Sequence, residues 1–293
     1  MSAIYPNKQK PYKRNIEIFD DSVFPSEMQR VVLGIEYDGF AFHGFQKQAR
    51  GVITVQESLE RALSEVANEP ITLICAGRTD AGVHATDQII HFDTVSTRPV
   101  KAWTSGLNVL LPNSVSVKWA MPVSPSFHAR FSATGRTYRY LICCSPTRPA
   151  LGVDQLTWER RSLDVELMRQ ASQALIGKHD FTSFRTVHCQ AKNPIRHVHH
   201  IEILEQSDLL CVEIKANAFL HHMVRNIVGA LLAVGCGKES VEWVGQVLAL
   251  KDRAKAGTMA KPNGLHLVGV QYPEHFGLPQ APPGPRYFPV AYS

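Results

Sequence analysis

Hydrophobic residues along this chain switch from a period of two to a period of 3.6 and back, and they do so in the same order twice, which limits the folds open to it. Val31, Leu33, Ile35 and Tyr37 alternate as in a strand. Val55, Leu59, Ala62, Leu63 and Val66 then recur at helical spacing behind Thr54 and Glu57, a capping-box pair. Strand-like runs Ile71–Ala76 and Gln88–Phe92, a short helical stretch from about Lys101 to Leu110, and Val115–Trp119 complete the first round. The second round opens with Tyr138–Cys144 as a strand and Val165–Ile176 as a helix, with Asp164 as its N-cap and Gly177 just past its end. A hairpin follows, with His199, Ile201 and Ile203 alternating, a turn at Gln206–Asp208, and Leu210, Val212 and Ile214 alternating back. Two helices carry the stripes Met223, Ile227, Leu231, Val234 and Val241, Val244, Leu248, and Leu265–Val270 is a last strand.

Each round is a βαββαβ unit, so the expected fold is α+β: two ferredoxin- or RRM-like units with mixed, mostly antiparallel sheets flanking a basic cleft. Sheets of this kind carry helices on one face and are able to leave the other open to a ligand. We divide the chain into a loose extension over residues 1–27, an N-terminal half over 28–125, a C-terminal half over 126–273 and a Pro-rich tail over 274–293. The last strand is able to pair with either half. Residues 1–27 are polar, Lys-rich and aperiodic, and the run Ala281-Pro282-Pro283-Gly284-Pro285 suits neither helix nor central strand.

Composition adds bounds rather than function. A formal charge of +5 suits a polyanionic partner without requiring one. The longest apolar run, Ile227–Val234, is too short to cross a bilayer, so we expect no membrane association. The six cysteines show no CxxC spacing, and most lie within apolar segments, which points to a reduced, cytoplasmic compartment.

Chemistry concentrates in Cys75-Ala76-Gly77-Arg78-Thr79-Asp80-Ala81-Gly82-Val83-His84-Ala85, where an apolar strand runs into a glycine-flanked loop carrying an arginine and an aspartate. Such a loop is able to hold an ionised carboxylate at a pocket mouth, where it acts as a nucleophile on a sugar carbon or as a base. Thr-Asp-Ala-Gly alone is equally an ordinary turn with a satisfied Asp. The whole eleven-residue string, however, resembles the central motif of the TruA-type tRNA pseudouridine synthases. Further matches follow in that family's order: Tyr37-Asp38-Gly39, Phe42–Gln48, Phe127–Arg130, Arg136–Tyr140, His179–Arg185, Phe219–Asn226 and Gly264–Leu267. Together they extend the resemblance from about Arg30 to Tyr272. The chain departs from the family's pattern at His266, where a tyrosine is common, and at Asn193, where a serine is common.

The resemblance implies an isomerase that converts uridine to pseudouridine in the tRNA anticodon stem-loop, at positions 38–40 of the tRNA, with Asp80 as the catalytic carboxylate. It implies no cofactor, no metal and a homodimer. Arg78 would fill the gap left by an extruded base or hold its phosphate, the alternative being a salt bridge to Asp80. Tyr138 would pack on the target base, the alternative being core packing. Arg225 lies on a helix whose opposite stripe is apolar, so it is expected to face away from the core, and the resemblance has it reach Asp80 from the second half. His197, His199, His200, His221 and His222 raise a zinc site, but no cysteine or carboxylate completes a recognisable spacing. Lys47, Arg50, Arg130, Arg136, Arg139, Arg185, Lys192 and Arg196 are a scattered basic set of the kind that grips A-form RNA by its shape. Two other classes remain: a non-catalytic RNA-binding module on the same fold, and an aspartate-nucleophile hydrolase, for which a second positioned carboxylate is not evident in the loop.

Overall fold

The computed structural model describes residues 24–48, 51–187, 189–280, 282 and 284–288. Most of the extension assigned to residues 1–27, Arg50, and residues 281, 283 and 289–293 of the Pro-rich tail therefore lie outside the described residues.

The fold is α+β, and the strands of both rounds join one sheet. In chain order these are β1 (Gln29–Tyr37), β2 (Leu73–Cys75), β3 (His84–Thr94), β4 (Val115–Val123), β5 (Gly135–Cys144), β6 (Thr157–Glu159), β7 (Gly177–Asp180), β8 (Ile195–Gln206), β9 (Leu209–Ala216) and β10 (Leu265–Gln271). The sheet order is β4-β1-β3-β10-β5-β9-β8-β7, with β2 added to β3 and β6 to β5. Pairing is antiparallel except for β10 with β3 and β6 with β5. The last strand thus pairs with both halves: His266 is in register with His84, and Leu265 with Tyr140.

Helix α1 (Val55–Ala67) follows its sequence signals closely. The Thr54 hydroxyl accepts from Glu57 N at 3.3 Å, and Val55, Leu59, Ala62, Leu63 and Ala67 are buried. Helix α3 (Val165–Ser172) is capped by Asp164, whose carboxylate accepts from Leu167 N at 3.0 Å. It ends earlier than its periodicity suggests, passing through one 3₁₀ turn into Gly177 at φ +106°, where β7 begins. The stretch over 101–110 forms a π turn leading into the short α2 (Leu107–Leu110). Helices α4 (Met223–Gly235) and α5 (Trp243–Leu250) close the second half.

Two expectations need correction. The sheet is not open along one face at its centre: β3 and β5 are buried almost throughout, and solvent-facing alternation survives towards the edges, on β4 and β8. On β8 a bulge between Val198 and His200 puts Val198, Ile201 and Ile203 inside and leaves His199 exposed, so the simple alternation from His199 does not hold. Helix α4 is also not two-faced. Met223 to Val228 are all buried, Arg225 included at 8% exposure, so Arg225 does not point away from the core.

Candidate active site

Asp80 lies on the loop between β2 and β3, and its position is fixed by the residues around it. Thr79 Oγ1 shares a 2.8 Å hydrogen bond with the buried Tyr37 hydroxyl, while Thr79 O accepts from Phe45 N at 3.0 Å. Gln88 spans the mouth of the loop, donating from Nε2 to Gly77 O at 2.6 Å and accepting from Gly77 N at 3.2 Å. Val83 N closes the turn onto Asp80 O at 3.1 Å, and Gly82 supplies the left-handed backbone at φ +75°. Gly77 does not need that freedom. The segment around Gly44, at φ +90°, packs so closely that a Cβ there would stand 3.1 Å from Thr79 O. Tyr37-Asp38-Gly39 and Phe42–Gln48 thus hold the loop from the first half.

The second half supplies the partners of the carboxylate. His221 Nε2 lies 3.1 Å from Asp80 Oδ1, His222 Nε2 lies 3.2 Å from Oδ2, and Arg225 Nη1 lies 4.0 Å from Oδ2. His222 adopts the left-handed conformation, φ 63°, immediately before α4, which turns its ring towards Asp80 one helical turn from Arg225. Arg225 is held in turn, its Nε donating to Ala260 O at 2.9 Å and its own carbonyl accepting from Ala260 N at 3.1 Å. Burial alone would raise the pKa of Asp80, but the hydrogen bond to His222 and the charges of His222, His221 and Arg225 outweigh it and hold the carboxyl below its ordinary value. The carboxylate is therefore ionised at neutral pH, and about a third of it stays accessible.

Arg78 is exposed and makes no hydrogen bond or ion pair among the described residues. The salt bridge to Asp80 is not formed; the counter-charge comes from the opposite half of the chain. Tyr138 on β5 is 8% exposed, with its ring edge-on to Phe219 at 5.0 Å and its hydroxyl 3.8 Å from where a Cβ on Gly77 would stand. It therefore packs against the start of the loop. Desolvation pushes the neighbouring Cys75 thiol up to about 11, which keeps it from acting as a nucleophile near neutral pH. Beside Asp80, a cavity of about 520 Å³ is lined by Phe40, Ala81, Gly82, Lys261 and Pro262 among others.

The basic set divides. Arg130 and Lys192 are exposed, whereas Arg136 and Arg139 on β5 are buried. Arg136 donates to the carbonyls of Ala76, Arg130, Ala133 and Asn217, and Arg139 pairs with Glu213 at 2.7 Å. Arg136 thus supports the start of the loop, while Arg139 ties β5 to β9 and to Gly284 O; neither offers a surface for phosphate. Sequence reading left out the pairing of His221 and His222 with Asp80. Their place three and four residues before Arg225 was the available signal, because the first turn of α4 brings all three to one end of the helix.

A family model described as tRNA pseudouridine synthase matches residues 34–132 and 171–273. A "tRNA pseudouridine synthase A" of Shewanella woodyi is 55% identical over 258 residues, 88% of this chain and 98% of the relative. The protein of the same name from Pseudomonas aeruginosa is 52% identical over 260 residues, 89% of this chain and 91% of the relative. Among solved structures, a Cbf5-Nop10-Gar1 complex aligns at 11% identity and a TM-score of 0.34, covering 81% of this chain and 49% of that one.

Proposed function

The chain belongs to the tRNA pseudouridine synthase family and is an isomerase acting on tRNA, and from that premise we propose that Asp80 is the carboxylate that works on the ribose of the target uridine. The observation that carries this reading is the bridging of one ionised, accessible carboxylate by His221 and His222, with Arg225 behind it, across the two halves of the chain. The reaction breaks the bond from uracil N1 to ribose C1′, turns the base and rejoins it through C5. Atoms and electrons are conserved, so no oxidant or reductant enters. Asp80 attacks C1′ or removes a ribose proton; in either case its negative charge must persist beside the sugar.

Arg78, exposed beside Asp80, suits the gap left when the target base leaves its stack, or the phosphate next to it. Tyr138 closes one side of the site, where its ring supports the base. Arg225 is a positioning residue that anchors the site to α4. The substrate is the anticodon stem-loop at positions 38–40 of the tRNA, and the protein works in the cytoplasm as a homodimer, since one mildly basic protomer offers limited surface to an L-shaped polyanion.

Unmodified tRNA transcripts incubated with the wild-type chain, Asp80→Ala and Asp80→Asn, then mapped by carbodiimide adducts, test the reading. Pseudouridine in the anticodon stem-loop with wild type, and a loss of at least a thousandfold in rate with both variants despite retained tRNA binding, is the expected result. Bound tRNA with no product from any of the three would leave an RNA-binding module instead.

A further inference from the structure

Asp80, His221 and His222 form more than a hydrogen-bonded carboxylate. Their three ligand atoms lie within 4.8 Å of one another, and each imidazole Nε2 faces a different carboxylate oxygen, at 3.1 and 3.2 Å. A tetrahedral Zn²⁺ holds nitrogen about 2.0–2.1 Å and oxygen about 2.0–2.2 Å away, which sets neighbouring ligand atoms roughly 3.3–3.5 Å apart. The two nitrogen-to-oxygen separations reach that spacing with shifts of a few tenths of an ångström, and the third pair of ligand atoms closes on it from within 4.8 Å. Ligation requires Nε2 to present a lone pair, so the ring proton must sit on Nδ1. Without an ion each Nε2 carries the proton it donates to the carboxylate; among the described residues neither Nδ1 is committed to a hydrogen bond, so Nδ1 is able to keep the ring proton once Nε2 turns its lone pair to an ion.

We propose that Asp80, His221 and His222 are a binding site for a borderline divalent ion, Zn²⁺ or Co²⁺, and that occupancy switches the enzyme off. Two imidazoles and one carboxylate suit these ions rather than Mg²⁺ or Ca²⁺, which take oxygen-rich shells. The set leaves a fourth position for water, the pattern of an open site. An ion there binds the carboxylate oxygens that the reaction needs and neutralises their charge, so the inhibitory consequence rests on the reading of Asp80 given above. Arg225 Nη1, 4.0 Å from Oδ2, opposes the cation and keeps the site reversible. A second group, His200, Glu202 and Glu213, has the same donor types, but Glu213 is already paired with Arg139 at 2.7 Å.

Co²⁺ titration of the full chain, followed by the visible absorption of four-coordinate cobalt, reads binding without activity. One Co²⁺ per chain is expected, weakened at least tenfold by His221→Gln and by His222→Asn, and unchanged by His200→Ala. Asn is chosen at 222 because it tolerates the left-handed backbone there, and far-UV circular dichroism confirms folding. In parallel, Zn²⁺ is added during pseudouridine formation: the rate should fall in step with competition against the cobalt signal and return when a chelator is added. Cobalt binding indifferent to His221 and His222, or abolished by His200→Ala, overturns the site. Binding at the site with undiminished pseudouridine formation overturns the inhibition. An inactive chain that still binds cobalt through His221 and His222 counts against Asp80 as the working carboxylate and leaves the metal site standing.

Discussion

Thr79 shows how much of the site rests on residues that carry no chemistry. Its hydroxyl is tied to Tyr37 at 2.8 Å and its carbonyl to Phe45 N at 3.0 Å, so the residue before Asp80 is held from the side chain and the backbone at once. Thr79→Val keeps the shape and removes one partner of a buried pair, leaving the Tyr37 hydroxyl only a long 3.4 Å contact with Gln88. A loss of about 1–2 kcal/mol in stability is expected from chemical denaturation. The rate constant for pseudouridine formation should fall about tenfold with tRNA affinity little changed, because a loosened loop misplaces the carboxylate without altering the RNA surface. Thr79→Ser should restore most of the rate; if it does not, the hydroxyl is not what holds the loop. The glycine-flanked string stood out through its resemblance to a family motif along its whole length, since its residue types alone suit an ordinary turn equally well. The clamp did not stand out, because Tyr37 and Gln88 are brought to Thr79 by strand pairing, which spacing along the chain does not reveal.

Among the elements, α1 could be read closely and the β8–β9 hairpin as far as the bulge at His199, since a capping box and a paired alternation are local signals. The short strands β6 and β7 could not: three or four residues carry no resolvable period, and each exists only because a longer neighbour offers an edge. Helix α4 misled for the opposite reason. Its apolar stripe is real, but it is covered on nearly every side, so burial extends to Arg225 and Asn226, which are held by carbonyls at Ala260 and Phe184. The close approach that makes this possible falls at Gly229, where a Cβ would stand 2.0 Å from Thr258 O. Gly229→Ala must therefore push the 258–260 segment off α4. We expect about 3 kcal/mol of destabilisation in denaturant titrations, beyond any gain in helix propensity. The rate should fall more than the folded fraction does, since Ala260 O orients the guanidinium that faces Asp80. Equal losses in rate and in folded protein would show that Arg225 keeps its place without that anchor.

The whole molecule depends on one seam. β10 belongs to the second half of the chain yet pairs with β3 of the first, so the loop bearing Asp80 and the helix bearing Arg225 keep their distance only while that seam is intact. The sequence left the partner of this strand open because a seven-residue apolar run carries no address. At the seam the registered residues His84 and His266 stack at 4.7 Å, and His266 Nε2 donates to Gln155 O, 3.0 Å away, with Tyr287 at the ring's edge. Burial, and then the nearby His84, push the His266 pKa down to about 3; burial likewise takes His91 on β3 to about 3. Both groups titrate near their ordinary value of 6.5 once the chain unfolds, so the unfolded state binds more protons throughout the window between. The stability tied to these neutral rings is thus full above about pH 6.5 and is lost as pH falls towards 3, by up to about 1.4 kcal/mol per pH unit for each ring. Urea titrations from pH 7 to 4.5 should show that slope, and His266→Phe, which cannot take a proton, should flatten it by the share of one ring. An unchanged slope in His266→Phe would mean that His266 titrates alike in the folded and unfolded chain. The acid sensitivity would then belong to His91, His128 and the carboxylates, and the seam would owe nothing to a neutral ring at position 266.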